Sequence, residues 1–160
     1  MVAFCFVFAK KMATTVASKV HEFEVSSKWY FDAGNGRVDA GSRMPILYGP
    51  PPEFGGQENV WSPEHLLCSS VATCYVTTLL SFAKLLKVEI RNLAITASAE
   101  FEKKEICLEA TRIILRPRIS FRKDPGRGVA EKLIDKAKRY CFISNSLKGE
   151  VVVIPEIQFT

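Results

Sequence analysis

The sequence predicts an α+β domain with a mainly antiparallel sheet, and three observations carry that expectation. First, "SPEHLLCSSVATCYVTTLLSFAKLLK", residues 62–87, opens on helix-start residues and then stays apolar for several turns. Second, "LAITASAEF" and "RIILRPRISFR" alternate apolar and polar residues at the two-residue period of strands. Third, Val129, Ala130, Leu133, Ile134, Ala137 and Tyr140 recur at helical spacing after those strands. Strands, helix, strands, helix and a last strand follow one another with no repeat and no linker.

From Val20 to Phe31 the run "VHEFEVSSKWYF" is rich in β-formers, and "DAGNGR" supplies the Asp, Gly and Asn of a hairpin turn. "PILYGPPPEFGG" is expected to be extended or looped, because three consecutive prolines lack the N–H groups a central strand must donate. Ser62 can cap the free N–H groups of the next helix, Pro63 suits its first position, and Glu64 complements the positive end of its dipole. That helix should run to about Lys87. Being apolar all round, it is expected to be buried rather than to lie on a surface.

In the second alternating segment Ile113, Leu115, Ile119 and Phe121 share one face, and Arg112, Arg116, Arg118 and Arg122 share the other, which must be wet or face anions. "DPGRG" breaks the chain before the second helix, which is expected to end at Cys141. "SNSLKG" reads as a loop and "EVVVI" as a closing strand.

The chain has 160 residues, 48% hydrophobic and 24% charged, which excludes a disordered or fibrous protein and fits one domain able to bury its own core. Residues 20–160 are read as that domain and residues 1–19 as an N-terminal extension. The opening "MVAFCFVFAKKM" has no basic segment before its apolar run and is too short to cross a bilayer, so no membrane partner is expected. With Met12 close behind, residues 1–11 are compatible with an upstream start codon. The net charge of +5 raises nucleic acid as a partner. The arginine face lacks the interleaved aromatics that stack bases, so nucleic acid is not expected.

Cysteines stand at 5, 68, 74, 107 and 141, an odd number without a CxxC pair. Neither a disulfide framework nor a zinc ribbon fits, and thiols in a reducing cytoplasm are the expectation. His65 and Cys68 share a helical face but no further ligand cluster accompanies them, so no metal and no cofactor is expected.

Two separated motifs narrow the reading. "WSPEHLLCSSVATCYVTTLLSFAK" and, about 65 residues on, "AKRYCFISNSLKGEVVV" resemble the two cysteine motifs of the OsmC/Ohr family of thiol-dependent hydroperoxide reductases. The resemblance spans roughly residues 20 to 155. It implies the OsmC/Ohr fold, with sheets packed around long central helices in an intertwined homodimer whose active sites lie at the subunit interface. It further implies a peroxidase acting on organic hydroperoxides in oxidative-stress defence, with Cys74 attacking the peroxide and Cys141 resolving the oxidised sulfur into a disulfide. Glu64 would hold the family's arginine, for which Arg37 is the nearest candidate and Arg43 the substitute. A dithiol, in some members a lipoylated protein, would restore the thiols.

Physical chemistry adds constraints. A free thiol titrates near ~8.5, so it needs activation to react at neutral pH. Cys74 lies about three turns inside its helix, where help from the dipole has faded, so a nearby arginine matters more. On a straight helix Glu64 stands about 15 Å from Cys74 along the axis and must act through the arginine, around a helix break or across subunits. Tyr48, Phe54 and Trp61 can line an apolar peroxide pocket or merely pack. Cys68 is turned about 240° from Cys74 and is read, with Cys107, as packing, and Cys5 as incidental. Two alternatives stand beside the peroxidase: a non-catalytic member of the fold that binds a small apolar ligand at the dimer interface, and a basic nucleic-acid-binding module.

Overall fold

A computed structural model describes residues 20–158, so the expectations for residues 1–19, Cys5 among them, lie outside the described residues. The elements follow in the order β1 (Ser26–Tyr30), β2 (Asn35–Asp39), β3 (Ile46–Tyr48), α1 (Pro63–Leu85), β4 (Ile90–Lys103), β5 (Leu108–Phe121), α2 (Arg127–Tyr140), α3 (Phe142–Asn145), β6 (Glu150–Val153) and β7 (Glu156–Gln158). They form two sheets. β1, β2 and β3 make an antiparallel three-stranded sheet, while β4 and β5 make a long antiparallel ribbon to which β6 and β7 add as parallel partners of β5. The architecture is α+β and mainly antiparallel.

The core is built where the patterns coincide. Ile113, Leu115, Ile119 and Phe121 of β5 are buried, as the alternation requires, and Arg112, Arg116, Arg118 and Arg122 are exposed. Arg112 spans Glu100 and Glu150 at 3.9 Å and 3.5 Å, an exposed arrangement that tempers the basic face. Pro117 sits buried in this central strand, which the lost N–H would ordinarily forbid. Leu115 offers its carbonyl to Ile154 N at 2.8 Å, so Pro117, two residues on, faces the same side, opposite the break between β6 and β7 where no donor is needed.

Helix α1 begins as its residues dictate. Ser62 accepts from His65 N through Oγ, and the His65 ring takes the Ser62 N–H at 3.3 Å, closing a reciprocal cap. It ends at Leu85 rather than Lys87: Lys87 takes a left-handed φ of 56°, and Val88 N reaches back to Ala83 O at 2.9 Å. By length and apolarity α1 could cross a bilayer, yet Val71, Cys74, Tyr75, Thr78, Leu79 and Ala83 form a stripe buried in the core with α2 and the β4–β5 sheet.

The expected burial on all sides is not met within one chain. Thr73, Thr77, Leu80, Ser81 and Lys84 lie on an exposed face of α1. Thr73, Thr77 and Ser81 turn their hydroxyls onto carbonyls one turn back, at 2.7, 3.0 and 2.8 Å. Their polarity is consumed inside the helix, and the face they present is smooth and largely apolar.

Further departures have local causes. The first strand covers Ser26–Tyr30 rather than the whole of 20–31, and residues 20–25 are exposed without pairing. "ILY" forms β3, short because Pro45 and Pro50 to Pro52 bracket it. α2 runs to Tyr140 with Cys141 as its cap, and Ser144 and Asn145, expected to open a loop, belong instead to one further helical turn, α3. Cys107, read as packing, is exposed, because β4 extends to Lys103 and β5 starts at Leu108, which puts it in the turn between them. Gly149 enters β6 so close to Ala110 O that a Cβ there would collide with backbone.

Candidate active site

Two apolar stripes bring the sulfurs together. On α2, Ala130, Leu133, Ile134 and Ala137 are buried, and the same spacing carries the buried face on to Cys141, where the chain leaves α2 and starts α3. This face packs on α1, whose own buried stripe includes Cys74. The result brings the Cys74 and Cys141 thiols, 67 residues apart in sequence, close enough to interact electrostatically. Both are free thiols; Cys141 is inaccessible and Cys74 is 8% exposed.

α3 supplies a third member. Ser144, one turn beyond Cys141, donates its hydroxyl to Cys141 Sγ at 3.0 Å. Burial pushes the Cys141 thiol above its ordinary value; the side-chain and backbone hydrogen bonds of Ser144 pull it down, and Cys74 pushes it up again. Tyr75, next to Cys74, is wholly buried, and its hydroxyl has no hydrogen-bond partner. Burial raises the Tyr75 phenol far above its usual value, and the proximity of Asp135 and Cys141 adds to this. Cys68, part-buried, is raised chiefly by burial.

The charged half of the expected site is not assembled within one chain. Arg37, on β2, lies against Asp39 at 2.9 Å, and Arg43 gives Nη1 to Ala40 O at 3.1 Å. Glu64 points one oxygen, Oε2, into a buried position where nothing bonds it. Trp61 links the two regions: its N–H donates to Leu47 O at 3.1 Å and its carbonyl accepts from Gly49 at 2.9 Å, so β3 is tied to the residues that open α1. The sheet carrying Arg37 is thereby hinged at the Glu64 end of α1, while its strands make their extensive contacts only with one another.

The aromatic residues are not gathered into one pocket. Tyr48 shares a 2.6 Å hydrogen bond with Ser27 and stacks obliquely on Trp29; Trp61 meets His65 edge-on; Phe54 is exposed. Two shallow cavities of about 380 and 320 Å³ lie instead along α2, the second lined by Asp135, Lys138, Arg139, Ser144, Asn145 and Val151 beside Cys141. Sequence reasoning missed Ser144, Tyr75 and Asp135 as site members. The signal for Ser144 was its position three residues after Cys141 on what becomes a helical turn; nothing local pointed Tyr75 or Asp135 at Cys141.

Comparison with known proteins places this arrangement. The chain is 24% identical over 135 residues to the uncharacterized protein YmaD of Bacillus subtilis, covering 82% of this chain and 89% of that one. Its fold matches an OsmC-like protein of unknown function from Vibrio cholerae with a TM-score of 0.79 at 21% identity, covering 85% of this chain and 99% of that one. An organic hydroperoxide resistance protein from Elizabethkingia anophelis matches with a TM-score of 0.68 at 20% identity, over 89% of this chain and 99% of that one. The organic hydroperoxide resistance protein OhrB of Bacillus subtilis matches at 0.60 and 20% identity, over 86% and 98%. The model of the OsmC-like protein family matches residues 56–156, a stretch that holds both cysteine motifs, and by it the chain belongs to the OsmC/Ohr family.

Proposed function

We propose that this protein is a cytoplasmic, homodimeric thiol peroxidase that reduces organic hydroperoxides to alcohols. The observation that supports it best is the buried Cys74–Cys141 pair of free thiols, brought into electrostatic contact where α2 packs on α1. Closing a disulfide between them requires Cα atoms within about 7 Å, an approach that two packed helices allow. The Cys74 thiolate attacks the distal peroxide oxygen; the O–O bond breaks, alkoxide leaves and takes a proton, and Cys74 becomes a sulfenic acid. Cys141 then attacks that sulfur, its thiol proton joins the departing hydroxide, and a disulfide and water result. A dithiol, such as that of a lipoylated protein, exchanges with the bridge and restores both thiols.

The homodimer completes what one chain leaves open. An unpartnered buried carboxylate oxygen on Glu64 is an acceptor waiting for a cation. Arg37, held on a sheet that does not pack back on its own core, is free to be delivered to the neighbouring subunit's Glu64 and Cys74. The exposed face of α1, with Thr73, Thr77 and Ser81 at four-residue intervals, suits close approach of a second helix.

A non-catalytic reading has one observation in its favour, the upward displacement of the Cys141 thiol by burial, which an idle core cysteine would also show. Thiol counting by mass spectrometry after one equivalent of cumene hydroperoxide separates the two. The peroxidase loses two thiols rapidly, with a mapped Cys74–Cys141 bridge that Cys74→Ser abolishes. Survival of the thiols at the rate of free cysteine would leave the binder.

A further inference from the structure

The hydroxyls of Ser70, Thr73, Thr77, Ser81 and Ser146 all point back onto backbone carbonyls three or four residues earlier, at 2.7 to 3.0 Å. That is the ordinary arrangement for a hydroxyl on a helical turn. Ser144 departs from it. Its hydroxyl donates to Cys141 Sγ at 3.0 Å, although the Cys141 carbonyl also lies one turn back, where it accepts the Asn145 N–H at 3.1 Å. A thiol sulfur is a weak acceptor, so in the reduced protein this bond contributes less than the carbonyl bond it replaces. A thiolate accepts strongly, and the same geometry then has a purpose.

Cys141 is fully buried, which opposes its ionisation, and a charged sulfur there needs a donor in place of water. Among the described residues no other hydroxyl, amide or ammonium group is hydrogen-bonded to that sulfur. Ser144 also lines the cavity of about 320 Å³ at the α2–α3 junction, so it meets the sulfur on one side and open space on another. The titratable groups around this spot come from two helices. Cys74 and Tyr75 of α1 share the core with Cys141, and Asp135, Lys138 and Arg139 of α2 face the cavity, to which β6 adds uncharged Val151.

We propose that Ser144 is a further catalytic residue of the resolving step, its hydroxyl donating a hydrogen bond to the Cys141 thiolate as that sulfur attacks oxidised Cys74. The S–S bond forms as the S–O bond of the Cys74 sulfenic acid breaks. Cys141 sulfur is oxidised and Cys74 sulfur reduced, and the expelled hydroxide takes up the proton that Cys141 gave away, leaving as water. The serine keeps its own proton throughout.

This inference rests on the peroxidase reading for its role but is tested without peroxide, in a parent protein carrying Cys5→Ser, Cys68→Ser and Cys107→Ser. Limiting dithionitrobenzoate converts Cys74, the more exposed thiol of the pair, to a mixed disulfide. The Cys141 thiolate then displaces nitrothiobenzoate as the bridge closes; the release is followed by absorbance against pH, and the bridge is mapped by mass spectrometry. For Ser144→Ala the pH midpoint of closure should rise by about one unit and closure at neutral pH should slow about threefold to fourfold, the thiolate fraction falling tenfold while its nucleophilicity rises. The deficit should vanish above both midpoints, where the more basic thiolate is the better nucleophile. A general loosening of the site would instead slow closure at every pH. Ser144→Thr and Ser144→Val, equal in size and differing in the hydroxyl, repeat the comparison: the threonine should keep the parent's midpoint and the valine should follow Ser144→Ala. Equal midpoints in the parent, Ser144→Ala and Ser144→Val would overturn the role of Ser144 and leave the peroxidase standing. A deficit of one size at every pH would do the same. Failure of the bridge to close in the parent would overturn both.

Discussion

The chain from Ser62 to Gln158 and the three-stranded sheet before it bury their side chains to opposite degrees. In the first, Val71, Tyr75, Leu79, Leu115, Leu133 and Cys141 are sealed from solvent. In the second, Ile46 and Leu47 are 37% and 50% exposed, and Phe31 and Met44 almost wholly so. A three-stranded sheet stands alone only if one face finds apolar cover. The contrast divides the chemistry in the same way: the region that closes on itself brings the two sulfurs together, and the region that does not carries Arg37. This contrast is why the proposed peroxidase includes a second chain: the thiol pair lies within one chain, and Arg37 is not assembled with it there.

The sharpest way to break that division is complementation. Arg37→Ala and Cys74→Ser should each abolish most peroxide turnover. Mixed and allowed to exchange subunits, the two inactive proteins should recover about a quarter of wild-type activity, because half the dimers are mixed and each holds one intact site. No recovery, with exchange verified, would mean that arginine and thiol come from the same chain.

Paired core truncations probe the same contrast on the stability scale. Leu133→Ala should cost about 2–5 kcal/mol in urea unfolding, as expected for a sealed leucine. Leu47→Ala should cost much less in a dilute monomer and approach the same range only at concentrations where a partner covers the sheet. A concentration-independent, small effect at Leu47 would show that no copy covers it.

The smallest expected effect is a pH slope. Burial makes folded Cys141 hold its proton beyond the pH at which the unfolded chain's thiol, near about 8.5, releases it. In that window the unfolded state binds fewer protons, so Cys141's contribution is complete below the ordinary thiol value and declines as pH rises from there toward the folded value. The stability difference between wild type and Cys141→Ala should therefore shrink between neutral pH and about pH 10. A constant difference would show that the thiol titrates alike in both states.

What could be read from the residues were the features that local physics sets. Alternation around Ile113–Phe121, the Ser62–Pro63 helix start, the 3.6-residue stripe of α2 and the Gly34 turn each depend on neighbours a few positions away. The two cysteine motifs were legible as well, as a pair of patterns. Errors fell where local preference was neutral or context decided. The β-rich run from Val20 to Phe31 is longer than the strand it forms because nothing local marks where a strand loses its partner. Composition points Cys107 toward packing, but only the length of the β4–β5 ribbon decides that it falls in the turn. α1 was expected to be buried all round because composition states only that a face is apolar, not what covers it.

By itself the sequence determined that this is an α+β chain with a long apolar helix, an amphipathic one, and thiols unsuited to a disulfide framework, because those properties are sums over short windows. Only the tertiary structure decided that Cys74 comes near Cys141, that Ser144 donates to that sulfur, that the Tyr75 hydroxyl is buried without a partner, and that Arg37 turns to Asp39. Contacts across 67 residues depend on how two helices pack, and packing is settled by complementary shape over the whole core rather than by any pattern along the chain.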